Sequence, residues 1–216
     1  MIFADSRLRS YVLVLWMASA FTYAAEGLMA PLARQYGGGA GTVGLLLAAA
    51  PLGMSIGGVA LTRFCPPAAR PRLILPLAAM SAGVLTAAWL VPPLWMMLVL
   101  LVLAGAASAF AIPLNALFGR AVPTRYRGRA FGVAITGLSG LQGTAMVLAG
   151  LAADRWPATT VIGVSGLSGA VAVLAFVPLW PRRPDSAPAT FETAVEQART
   201  TPNADIPTAE AVRGRR

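Results

Sequence analysis

Glu26 is the one ionisable residue deep inside an apolar stretch of this chain. Ser19, Thr22 and Tyr23 precede it by seven, four and three residues. At 3.6 residues per turn the four share one face of a helix. A carboxylate at the centre of a membrane span costs about 2.5–3.5 kcal/mol on the most lenient insertion scale, so it should face protein or water and not lipid. Such a stripe can line an aqueous cavity, bind a polar or cationic substrate, or pass a proton through Glu26. The residues also allow a plainer reading, in which Glu26 lies near the outer interface and snorkels or pairs with Arg34.

Further along, Ser108 and Asn115 stand seven apart, and Thr136, Ser139, Gln142 and Gly143 crowd together. Singly, each is explained by hydrogen bonding between helices, worth about 0.6 kcal/mol per contact. Collectively they are candidates for a pathway, Asn115 and Gln142 foremost. Other chemistry is poorly served. There is no histidine, the only cysteine is Cys65, and no cluster has metal-ligand spacing or a nucleophile beside a base. Neither a metal nor a cofactor is expected, and an enzyme would have to rely on carboxylate chemistry at Glu26 alone.

The elements that carry these residues follow from composition. Of 216 residues 57% are hydrophobic and 12% charged, against about 25% charged in soluble domains. A bilayer core needs about 20 apolar residues as helix, and six stretches qualify: Tyr11–Ala33, Thr42–Thr62, Leu73–Val91, Leu94–Phe118, Ala130–Ala153 and Ala158–Trp180. Only the first contains a charge, Glu26. An all-α, polytopic membrane protein of six spans is the expected fold. Arg7 and Arg9 followed by Tyr11–Met17 and Ala18-Ser19-Ala20 also fit a cleavable leader, but the apolar run continues to Ala33 and favours a retained helix.

The formal charge of +9 rests on arginine alone, with no lysine. These arginines lie between apolar blocks and not on a polar face, and no recognition helix or zinc spacing accompanies them, so a nucleic-acid partner is not expected. Arg7, Arg9, Arg63, Arg70, Arg72, Arg120, Arg125, Arg127, Arg129, Arg182 and Arg183 fall on one side of the membrane, and only Arg34 and Arg155 on the other. By the positive-inside rule both termini are cytoplasmic. Arg120, Arg127 and Arg129 belong to a loop whose first role is to hold that side inside, with a cytoplasmic gate as a second role. From 182 to 216, proline among Ala, Thr and Glu predicts a disordered cytoplasmic tail.

Small residues predict close helix packing: Gly53 and Gly57 in the second span, and Gly132, Gly143 and Gly150 in the fifth. An internal repeat is suggested by Gly58–Phe64 and Gly150–Trp156, in register at an offset of 92 residues that also aligns Met54 with Met146. An offset of three spans inverts the membrane direction, giving an inverted three-plus-three repeat.

Pro123, Tyr126-Arg127-Gly128-Arg129, Phe131-Gly132, then Gly137, Gly140, Gly143 and Gly150, ending Ala153-Asp154-Arg155, resemble the C-terminal six-helix half of the major facilitator superfamily. The run is similar to that family's tenth-to-eleventh-helix connection and eleventh helix. At Arg63–Arg72, the place of the eighth-to-ninth connection, Thr62 stands where the family often has Asp. The resemblance covers about 7–183. It implies alternating-access transport driven by an ion gradient, usually protons, with a drug or metabolite exporter as the subtype and Glu26 facing the central cavity. It further implies a plasma-membrane location, a small-molecule substrate, and pairing with a second six-helix half or with itself. A non-transporting scaffold, a regulatory subunit or an inactive fragment is the rival expectation.

Overall fold

The computed structural model of the chain describes residues 6–122 and 124–177, all within the compact unit Met1–Pro181. The expected tail at 182–216 and the end of the sixth span at Trp180 lie outside the described residues. Every regular element among the described residues is helical. Helices α1 (Ser6–Glu26) and α2 (Met29–Gln35) form the first span, bent by 41° at the break between them. The second is α3 (Ala40–Phe64). The third is α4 (Arg70–Gly83), extended by a tighter 3-10 segment, Val84–Leu90. The fourth runs through α5 (Leu94–Ala107), a 3-10 turn at Ser108–Phe110 and α6 (Ala111–Ala121). The fifth is α7 (Arg127–Ala153) and the sixth α8 (Ala158–Ala175). Five helices are long and apolar enough to cross a membrane, and the bent α1–α2 pair makes six.

The first span is thus broken where the sequence predicts a continuous helix. Gly27 lies in the break, and a Cβ there would come within 3.0 Å of the Met146 backbone on α7. The fourth span tightens for a covalent reason. Pro113 offers no N–H to the carbonyl of Ala109 and its ring crowds that turn, so the chain takes a 3-10 path just before it.

Packing follows the inverted repeat. The middle helix of each triplet lies against the first span of the other: α3 packs along α5, and α7 packs along α1. The two third members, α4 and α8, pack on each other. Exchanging spans one and four, two and five, three and six leaves this pattern unchanged. Two apolar clusters fill the bundle. One, around Leu28, Leu46, Leu85, Met97 and Ile162, sits toward the Gln35–Ala40 end, and the other, around Val14, Ile74, Leu114 and Phe118, toward the arginine-bearing end.

Glycine allows close approach at the α3–α5 crossing. A Cβ on Gly53 would collide with the Val102 carbonyl, one on Gly57 with Ala106, and one on Gly105 with the Ala50 carbonyl. The fifth span differs from its expectation. Gly132, Gly143 and Gly150 face open space, and little of α7 is buried. The glycine of α7 that does meet a neighbour is Gly137, covered by the Trp16 indole. The physical reason is that α7 touches the rest of the chain along one narrow face, and Gly132, Gly143 and Gly150 lie off it.

Candidate functional site

A cavity of about 370 Å³ opens between α1, α6 and α7, with Met54 of α3 at its edge. Each wall belongs to a membrane span whose sequence sets isolated polar residues among bulky apolar ones. On α1, Ser19, Thr22 and Tyr23 line it together with Tyr11 and Leu15. The fourth span contributes Ser108, Phe110 and Asn115, and α7 contributes Phe131, Leu138 and Gln142. The 3-10 turn helps here, because it carries Ser108 and Phe110 on the cavity side.

The polar groups divide into satisfied and free. Thr22 Oγ1 donates to the Ala18 carbonyl at 3.0 Å, and Ser108 Oγ donates to the Ala104 carbonyl at 3.0 Å. Both hydroxyls are turned back onto their own helix. The Asn115 and Gln142 carboxamides, the Ser19 hydroxyl and the Tyr23 hydroxyl make no hydrogen bond within the described residues. Phe118 and Phe131 meet edge to face, 5.1 Å between centroids, at the arginine-bearing end of the lining.

Glu26 is not among the lining residues. It is the last residue of α1, one turn beyond Thr22, where the span bends away. It is half-buried and is followed by the break and the seven-residue α2, so it lies inside the span and not at its end. It forms no ion pair among the described residues, Arg34 included, though it acts electrostatically on Tyr23. The structure therefore gathers Ser19, Thr22, Tyr23, Asn115 and Gln142 around one cavity and leaves Glu26 beyond its rim. Arg120, Arg127 and Arg129 are exposed at the basic end, outside the cavity.

The sequence reading missed the aromatic wall of Tyr11, Phe110, Phe118 and Phe131. Nothing in their spacing separates a cavity wall from an ordinary core. It also missed Trp16, whose Nε1 donates to the Ala134 carbonyl of α7 at 2.9 Å. Among the described residues no group of His, Cys, Asp and Glu could hold a metal ion.

A family model described as Major Facilitator Superfamily matches residues 11–214. The chain belongs to the major facilitator superfamily. Comparison with curated proteins and with solved structures gives no match. Membership makes this major facilitator chain a transporter by type. It also gives the inverted packing of its spans a purpose, since such repeats place a site near mid-membrane between elements that rock against one another.

Proposed function

We propose that the chain is the C-terminal six-helix half of a proton-coupled major-facilitator transporter that exports a drug or metabolite across the plasma membrane. The observation that carries this reading is the cavity, which collects free hydrogen-bonding groups from α1, α6 and α7 inside an otherwise apolar bundle. Asn115 and Tyr23 are exposed, and none of these groups is a buried orphan. Polar groups left open on membrane spans favour a water-lined pathway over lipid contact.

Glu26 is the coupling residue in this reading. It is a half-buried carboxylate without a cation partner, at the carbonyl end of a helix that stops inside the membrane. Such a group binds and releases a proton as water gains and loses access to it. The partner is a second six-helix half or a second copy. The open faces of α3 and α7 favour this, with Leu52, Ile56 and Val59 on one and Ile135, Val147 and Leu148 on the other. Met54 and Gln142 belong to these same two helices and line the cavity, so a partner there would roof it. The arginine asymmetry orients the assembly with both termini in the cytoplasm.

The test is proton release from acidified inverted vesicles carrying the chain with its partner, followed by acridine fluorescence on adding a panel of small aromatic solutes. Dequenching by at least one solute, lost in Glu26→Gln, is the expected result. Dequenching that survives Glu26→Gln removes the coupling role. None with any solute, from a correctly inserted protein, favours a scaffold, regulatory subunit or inactive fragment.

A further inference from the structure

We propose that the cavity takes an uncharged amphiphile, a flat apolar body bearing two or more amide or hydroxyl groups, and that it rejects cations. The inference deepens the transport reading and rests on it for its biological meaning, but it concerns binding and is measured without flux.

The first ground is the lining. Not one of its residues is charged; Glu26, the only carboxylate described within the spans, is not in the lining but lies one turn beyond Thr22, next to Tyr23. A cation moved among these residues sheds water and meets no counter-charge in the lining itself, which costs more than burying a hydrogen-bonded neutral group. The second ground is the approach. Arg9, Arg120 and Arg127 are exposed at one end of the bundle, each within about one turn of a lining residue: Tyr11, Phe118 and Phe131 respectively. They form no ion pair among the described residues, so their field repels cations from that end.

The third ground selects the neutral ligand. Asn115 and Gln142 each offer two N–H donors and a carbonyl acceptor, and both are unpaired. A ligand amide or hydroxyl can satisfy donor and acceptor together, while a purely apolar ligand leaves both carboxamides stranded. Phe118 and Phe131, edge to face, give a ring a surface to pack on.

Two probes of one shape separate the possibilities: 4-nitrobenzamide, neutral, and 4-nitrobenzylammonium, cationic. Each is equilibrated by dialysis against the full chain in lipid nanodiscs, and the saturable fraction is read by nitro absorbance. The amide should bind saturably and the ammonium at least tenfold more weakly. Gln142→Leu should weaken the amide about fivefold to tenfold. Asn115→Asp, which adds the missing counter-charge at almost the same volume, should bring the ammonium up to the amide or above it. A monodisperse elution profile for each variant guards against misfolding.

Equal or tighter ammonium binding by the unaltered chain overturns the proposal, since the aromatic faces would then outweigh the missing counter-charge. Failure of both probes to saturate overturns it as well. Neither result bears on proton release from vesicles, so the transport reading fails or stands separately.

Discussion

At the scale of single residues, the decisive feature is which polar groups the spans leave unpaired. Thr22, Ser108 and Thr144 direct their hydroxyls to carbonyls of their own helices, so they add little to any pathway. Asn115 and Gln142 make no such bond among the described residues, so their donors and acceptors stay available. Trp16 shows the opposite economy. Its indole lies over Gly137 and donates to the Ala134 carbonyl, joining α1 to α7 beside the cavity. Trp16→Phe should keep the ring packing and lose the hydrogen bond, costing about 1 kcal/mol and lowering the detergent melting temperature by a few degrees. Gly137→Leu should be worse, since the new side chain would occupy the space of the indole.

At the scale of elements, helix contacts separate glycines that sequence spacing treats alike. Gly53, Gly57 and Gly105 hold α3 against α5 with backbone meeting backbone, so Gly53→Val or Gly105→Val should force the helices apart. The expected cost is about 1–3 kcal/mol or more, read as early loss of the monodisperse peak in a heating series. Gly132→Val and Gly143→Val should leave that peak unmoved, because their Cβ positions are open. The loop after α3 shows a second element-level device. Arg70 donates from Nε to the Cys65 carbonyl at 3.1 Å and from Nη2 to the Thr62 carbonyl at 2.9 Å, capping the end of α3. The Thr62 hydroxyl meanwhile bonds back to Gly58. Where a family motif often places a carboxylate, this chain uses a guanidinium on carbonyls, a favourable arrangement at a helix C-terminus. Pro113 is the third case. Pro113→Ala should let the fourth span run as continuous α-helix, turn Ser108 and Phe110 away from the cavity, and weaken probe binding at nearly unchanged stability.

At the scale of the whole molecule, the basic end and the opposite end should face different compartments. Cys65, the only cysteine, sits at the basic end and is partly exposed, which makes it a natural reporter. A membrane-impermeant maleimide should label it in right-side-out vesicles only after permeabilisation. In Cys65→Ser/Trp156→Cys the new thiol should label from outside at once. What the sequence determined by itself was what depends on composition summed along the chain: the spans, the loops between them, the arginine asymmetry and the class of protein. These are local sums, and a bilayer enforces them whatever the neighbours do. The stripe of Ser19, Thr22 and Tyr23 was legible for the same reason, since residues three and four apart share a helix face in any fold. Only the tertiary structure decided that Asn115 and Gln142 join that stripe while Glu26 falls outside it. That outcome depends on a bend after Glu26, on the 3-10 turn before Pro113, and on which narrow face of α7 meets α1. None of these is a property of one helix, so none was written in its periodicity.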